Sequence, residues 1–330
     1  MTRHPTMIEV AAEAGVSPAT VSRVLTGSAP VAAATRRQVH AAISRVGYLP
    51  RGSRPGDNRH APIITAVICE PTIRFLNDPF FVRLIGGAER FLAKHGGALP
   101  LMSAASPALA VTENHLLGGG SGGVLLASVR GKHPLALTLA AARLPVRCAG
   151  RPGEGMEVPY VDVDNRDGAR RAVSLLLRTR STVAHIAGPV ALPAARDRLN
   201  GYLDAVSAMG RQPHVVPGDF TPRGGGHAMR LLLERTPALD GVFVASDPMA
   251  FGAMSVLRRA GRSIPDDVAV VGFDDVPQAA FSDPPLTTVR QPVEELGALA
   301  AKLLFEQVLT GSPPAPDQIL ATTVIERASA

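Results

Sequence analysis

From residue 63 onward, short runs rich in Val, Ile and Ala alternate with segments of helical length, and this alternation constrains the fold more than any other feature. The expected strands are 63–69, 98–102, 124–127, 146–149, 160–163, 183–187, 214–216, 241–245 and 268–272. Strands joined by helical crossovers pair in parallel and carry helices on both faces. Nine such units are many for one sheet, so two α/β lobes with a cleft between them is the economical architecture. Ligands of such folds bind beyond the carboxyl ends of the strands, which makes the residues just after each strand the functional candidates.

The charge is unevenly placed. Residues 1–62 hold eight Arg and three acids, a net charge of +5, whereas residues 63–330 carry a net +1. A small basic module on a near-neutral body points to a polyanion, nucleic acid foremost, as the module's partner. No apolar run approaches the roughly 18 residues of a membrane span, and residues 1–6 lack a signal peptide's apolar core, so a cytoplasmic protein with no membrane partner is expected. Cys69 and Cys148 lack metal-ligand spacing and read as buried free thiols.

Within the basic module, Thr6-Met7-Ile8-Glu9 has the spacing of a capping box, so a helix should start at Met7 and stop at Gly15. Ser17-Pro18 opens a second helix, with Ser as cap and Pro in the first helical position. Its apolar stripe is Val21, Val24 and Leu25; a third helix, 33–46, buries Val39, Ala42, Ile43 and Val46. Two short helices joined by a Gly-containing turn, with a third packed on them, form a helix-turn-helix unit whose second helix enters the major groove. Arg23 suits guanine O6 and N7, Pro18 and Ala19 suit a thymine methyl, and Ser17, Thr20 and Ser22 suit phosphate. The competing reading is a small helical bundle that merely caps the larger domain.

The run MIEVAAEAGVSPATVSRVLTGSAPVAAATRRQVHAAISRVGYLP resembles the DNA-binding head of the lactose-repressor (LacI/GalR) family of bacterial transcription regulators. Thr26 stands where that family usually has Asn, and Ala32 where a Ser normally caps the third helix. Residues 50–62, PRGSRPGDNRHAP, form a polar, breaker-rich connector. In the family this hinge becomes a helix on DNA and wedges a Leu into the minor groove. Here no Leu, Ile or Met lies between Arg51 and Ala61, which leaves Arg51 and Arg54 as the hinge's DNA contacts, or the segment as a flexible tether.

The resemblance continues through NDPFF, VDVDNRDGARRAV, RDRLNGYLDAV, GVFVASDPMAFGA, VAVVGFDD and PPLTTVRQPVEELG, which resemble the family's effector-binding core, akin to periplasmic sugar-binding proteins. It implies an α/β fold: a three-helix head (1–49), a hinge (50–62) and a periplasmic-binding-protein-like core (63–330). The first lobe would comprise 63–163 with 291–319, and the second 164–290 with 320–330. It also implies effector contacts at Phe80, Phe81, Arg198, Phe220, Ser246, Asp247 and Asp274. Ser246 replaces a common Asn, and RCAGRP lacks the Asp that often precedes its Arg. Asn165 reads as the cap of the helix that follows it, and Phe251 and Phe273 as core.

Other patterns point away from catalysis. Gly119-Gly120-Ser121-Gly122-Gly123 fits G-x-S-x-G but precedes a strand instead of following one, and Gly224-Gly225-Gly226 lacks dinucleotide context. With no Walker lysine motif and no H-E-x-x-H, neither an enzyme nor a cofactor is expected. The chain is thus expected to be a regulator, a repressor by preference, that binds near-palindromic operator DNA as a homodimer. Its effector is expected to be a sugar or sugar phosphate. The alternative is a small-molecule-binding module that holds DNA only weakly because its hinge is degenerate. The dimer face is expected on the helix around Leu84 to Leu92 and its counterpart in the second lobe. No leucine heptad follows Thr323, so no tetramer bundle is expected.

Overall fold

In the computed structural model, residues 5–26, 31–46, 48, 62–105 and 107–330 are described. The Thr6 hydroxyl accepts from the Glu9 amide at 3.3 Å while Glu9 accepts from the Thr6 amide at 2.6 Å, and helix α1 (Met7–Glu13) starts there. The chain turns at Gly15, whose φ of +61° is left-handed. The Ser17 hydroxyl accepts from the Thr20 amide at 3.1 Å and caps α2 (Pro18–Thr26). Helix α3 (Ala33–Val46) closes the head, in which Val10, Ala11, Ala14, Val21, Val39 and Ala42 form one small core. The hinge residues Arg51 and Arg54 lie outside the described residues.

Two six-stranded sheets follow. In the first lobe the order is β11-β5-β4-β3-β1-β2, built from β1 (Ile64–Ile68), β2 (Leu101–Ser103), β3 (Gly123–Ala127), β4 (Val146–Ala149), β5 (Tyr160–Val163) and β11 (Gln318–Leu320). Every pairing in it is parallel. In the second lobe the order is β12-β10-β9-β8-β6-β7, from β6 (Val183–Ala187), β7 (His214–Pro217), β8 (Gly241–Val244), β9 (Ala269–Asp274), β10 (Thr287–Arg290) and β12 (Thr323–Ile325). Only β12 runs antiparallel, against β10. All nine strands read from the sequence are present; β10, β11 and β12 were not foreseen.

Helices cover both faces of each sheet. The first lobe carries α4 (Thr72–Asn77), α5 (Pro79–Lys94), α6 (Leu109–His115), α7 (Pro134–Ala141) and α12 (Val293–Thr310). The second carries α8 (Asn165–Leu177), α9 (Pro193–Ala208), α10 (Pro222–Arg235) and α11 (Asp247–Arg259). Buried Leu, Val, Ile, Ala and Met side chains fill a separate core on each face. Helices α5 and α12 cross so closely that a Cβ on Gly87 would collide with the Glu294 carbonyl and one on Gly297 with that of Leu84. Leu84 and Leu92 are completely buried in this contact. These two side chains record the packing of α5 on α12, while the opposite face of the helix, with Val82, Glu89 and Arg90, is exposed.

The misleading motifs have structural roles. The Ser121 hydroxyl donates to the Gly123 carbonyl at 2.6 Å and accepts from the Thr65 amide at 3.1 Å, which fixes the entry to β3. Gly225 sits where any Cβ would strike the Met249 backbone, so it sets the approach of α10 to α11. Among the described residues no helix is long and apolar enough to cross a membrane, and no group of His, Cys, Asp and Glu has metal-binding geometry.

Candidate functional site

A cavity lies between the lobes, at the carboxyl ends of both sheets. The first lobe contributes Arg74, Asp78, Phe80 and Phe81 after β1, Ser128 after β3, Gly150 and Arg151 after β4, and Asp162 from β5. The second contributes Asn165, Arg198 after β6, Phe220 after β7, Ser246 after β8 and Asp274 at the end of β9, with Gln291 just past β10. A strand's carboxyl end, where the chain turns into a helix, fixes side chains on a rigid rim.

Arg198, only 5% exposed, organises the floor. Its Nε donates to Asn165 Oδ1 at 2.9 Å; its Nη1 donates to the Ala245 carbonyl at 2.6 Å and to Asp274 Oδ1 at 3.3 Å. Its guanidinium lies 3.7 Å from the centre of the Phe273 ring and 5.9 Å from that of Phe220. Gln291 also donates to Asp274 Oδ1. Arg198 Nη2 and Asp274 Oδ2 take no partner among the described residues, which leaves a donor and an acceptor side by side at a cavity also lined by the Phe80, Phe81 and Phe220 rings. Phe80 and Phe81 meet edge to face, 5.4 Å between centroids.

Burial raises the carboxyls around this cavity above the usual range. Asp274 is pushed up to about 7, chiefly by burial, with Arg198 opposing the shift. Burial likewise raises Asp162 and Asp78, although Asp162 accepts from the Arg151 and Val163 amides and Asp78 from the Phe80 amide. Arg74 and Arg130 share Glu70, with the Arg74 Nε buried and without a hydrogen-bond partner, while Arg151 pairs with Asp197 and Arg198 with Asp274.

Of the seven effector-contact residues expected from the sequence, six line the cavity and Asp247 does not. Asp247 begins α11 one position behind the Ser246 cap and is turned inward, where Oδ1 accepts from the Thr288 hydroxyl at 2.6 Å and Oδ2 from the Val276 amide at 2.9 Å. Nor is Asn165 a cap: Asp164 caps α8, through the Asp167 amide at 2.9 Å, while Asn165 is buried and faces Arg198. Phe251 is half-buried, whereas Phe273 is fully buried under Arg198. Asp78, Asp162, Asn165 and Gln291 went unrecognised; the end of β5 was the available signal for Asp162 and Asn165, whereas Asp78 caps α5 well past β1 and Gln291 follows the unforeseen β10.

On the head, Ser17, Pro18, Ala19 and Arg23 are exposed along α2, and Thr20 and Ser22 are half-buried. The hydroxyls of Ser17 and Thr20 lie 2.9 Å apart, so one donates to the other and the second retains a hydrogen for an outside acceptor. Arg23 projects from the last turns of the helix into solvent.

Residues 6–51 match the family described as bacterial regulatory proteins, lacI family, and residues 174–330 match a periplasmic binding protein-like domain. The HTH-type transcriptional regulator CelR of Thermobifida fusca is 40% identical, covering 97% of this chain and 96% of the relative. The HTH-type transcriptional repressor CytR of Escherichia coli (strain K12) is 34% identical, covering 92% of this chain and 89% of the relative. Among solved structures, a transcriptional regulator CelR–cellobiose complex superposes with a TM-score of 0.79 at 37% identity, covering 99% of this chain and 100% of that one. With this identity sustained along nearly its whole length, the chain belongs to the lacI family of bacterial regulatory proteins.

Proposed function

We propose that the protein is a sequence-specific DNA-binding transcription regulator that grips a near-palindromic operator as a homodimer and responds to a neutral sugar of disaccharide size held between its lobes. One observation carries the effector reading: the unpartnered Arg198 Nη2 and Asp274 Oδ2 at a cavity that also presents three Phe rings, an arrangement that donates to one hydroxyl of a sugar and accepts from its neighbour. Three buried acids, Asp78, Asp162 and Asp274, face this cavity, which supports a neutral sugar over a phosphorylated one. The similar CelR was solved with cellobiose, which supports the class. Both relatives are named as regulators, which supports a role without catalysis.

The test of the regulator reading is selection of binding sites from random DNA by the purified full-length protein at fixed salt. A palindromic consensus is expected; weak, steeply salt-dependent binding with no consensus would overturn it.

The raised Asp274 carboxyl gives the effector reading a pH signature. In the free protein this group gains a proton as pH falls through about 7, and a sugar hydroxyl donating to the carboxylate favours the ionised form. Affinity for cellobiose, which has no titrating group, should therefore weaken on the order of tenfold between pH 8 and pH 5.5, and Asp274→Asn should bind weakly without that slope. Calorimetric titration at the two pH values checks it, and a flat wild-type profile would remove Asp274 from the ligand contacts.

Dimerisation is required because one head reads too few base pairs for a specific site. Phe281, 87% exposed beside a shallow groove of Phe251, Met254 and Gln278, is the patch best suited to meet its own copy across a two-fold axis. Phe281→Asp should raise the dimer dissociation constant by roughly 30-fold or more, since a buried aromatic anchor contributes about 2 kcal/mol or more. Sedimentation velocity over a concentration series measures the change; an unaltered dimer would place the interface elsewhere.

A further inference from the structure

Arg83, on the second turn of α5, has a side chain only 18% exposed although it belongs to neither lobe's core. Its Nε and Nη2 donate to the two Glu294 carboxylate oxygens at 2.8 and 2.9 Å. Its Nη1 reaches out of the first lobe and donates to the main-chain carbonyls of Asp274 and Asp275 in the second, each at 3.2 Å. The base of this reach is rigid, because Glu294 opens α12 where it is locked against α5 at Gly87 and Gly297.

The target is a turn that needs holding. Asp274 and Asp275 have φ values of 122° and 49°, both in the region that side chains rarely adopt. The Asp275 carboxylate is tied to Arg290 and Arg327, and Asp274 Oδ1 is tied to Arg198 and Gln291. Arg83 adds two charge-assisted hydrogen bonds to this turn from the first lobe. If the lobes part, those two carbonyls exchange Arg83 for water and the turn loses that restraint.

We propose that Arg83 is the positioning residue for Asp274, holding the turn that presents its carboxylate and making that geometry conditional on the closure of the two lobes. This rests on the reading that the interlobe cavity takes the ligand. A ligand that engages Asp274 is then bound more tightly by the closed form, the differential affinity needed to shift a closure equilibrium. The Arg83 charge faces Asp274 together with Arg198, Asp78 and Asp247, and burial of Asp274 makes that surrounding charge set its protonation.

The test uses the full chain with spin labels on Lys132→Cys and Val190→Cys, two exposed positions on opposite lobes. Each labelled chain also carries Cys69→Ser, because Cys69 is partly exposed, whereas Cys148 is buried away from the label. Without ligand, Arg83→Met should shift the interlobe distance distribution to longer values, and Arg83→Lys, which cannot span both Glu294 and two carbonyls, should fall between. Glu294→Gln, which frees Arg83 from its anchor, should shift it in the same direction and serves if Arg83→Met fails to fold. Arg166→Met, which breaks an exposed ion pair to Asp204 within the second lobe, should change nothing. Cellobiose affinity should fall about tenfold in Arg83→Met. Distance distributions that are identical in the wild type and the Arg83 and Glu294 variants would overturn the proposal. Failure of the wild type to bind any neutral sugar would instead overturn the ligand reading, and the distances measured without ligand would still decide the role of Arg83.

Discussion

Replacing Arg198 with Met is expected to weaken binding of a neutral disaccharide by roughly 100- to 1,000-fold, or about 3–4 kcal/mol, within the cost of removing one partner of a buried charge pair. The reason is what Arg198 holds together. It bonds Asn165 at the start of α8, the Ala245 carbonyl at the end of β8 and the Asp274 carboxylate at the end of β9, so it ties three elements of one cavity wall. Methionine keeps the stem against Phe273 but leaves the Ala245 carbonyl without a donor and Asp274 with Gln291 alone. The buried carboxylate then protonates more readily, because the cation that lowers its pKa is gone. The head shares no core with this site, so the variant should still select the operator while no longer responding to sugar. Calorimetry with cellobiose, beside operator binding of the same preparation, measures both. Unchanged affinity would show that the ligand bypasses Arg198.

The second large effect is expected at Arg23. A bidentate Arg–guanine contact contributes about 1–3 kcal/mol of discrimination, and a two-fold dimer makes it twice, so Arg23→Ala should reduce specific operator affinity by roughly 30-fold or more. Because the α2 fold depends on the Ser17 cap and on Val21, Val24 and Leu25, none of which touches the exposed Arg23 position, the head should remain folded. The loss should fall on cognate sequence far more than on random DNA, where phosphate attraction prevails. A repeated binding-site selection should lose its consensus at one base pair per half-site; a retained consensus would transfer base reading to other residues.

The head was legible because its signals are local. Thr6 and Glu9 are three residues apart, Gly15 occupies a left-handed position, and Ser17-Pro18 opens a helix whatever surrounds it. Strands that are apolar almost throughout, such as Ile64–Ile68 with Thr65 its one polar residue, were legible for the same reason. The strands missed are those whose identity comes from a distant partner. Thr287–Arg290 reads as a polar loop until it pairs with β9, and the three-residue segments Gln318–Leu320 and Thr323–Ile325 have no pattern long enough to show a period. Failure to recognise β10 is also why Gln291, the residue just past its end, was not expected at the cavity.

The site was legible as a set of sequence positions and less so as side-chain directions. Arg198, Asp274, Phe80, Phe81, Phe220 and Ser246 converge on one cavity, whereas Asp247, one residue from Ser246, points into the core to satisfy an amide and a hydroxyl. Adjacent residues at a helix start face opposite ways, so a motif that spans the turn does not say which of them meets a ligand. Similarly, Asn165 looked like a cap because it begins a helix, but Asp164 takes the amide and frees Asn165 to orient Arg198. Leu84 and Leu92 show the same ambiguity in packing: α12 covers their face of α5, and only the exposed opposite face, with Val82, is open to a second subunit.

The central claim is that one molecule couples a sugar between its lobes to DNA on its head. The most direct measurement is fluorescence anisotropy of a selected operator fragment bound by the full-length protein at pH 7.5, titrated with cellobiose and a panel of neutral disaccharides. The account predicts that at least one of them changes operator affinity saturably in the wild type and leaves the Arg198→Met complex unchanged. Tight, specific operator binding that no neutral sugar alters, in a protein that calorimetry shows to bind one of them, would contradict the coupling.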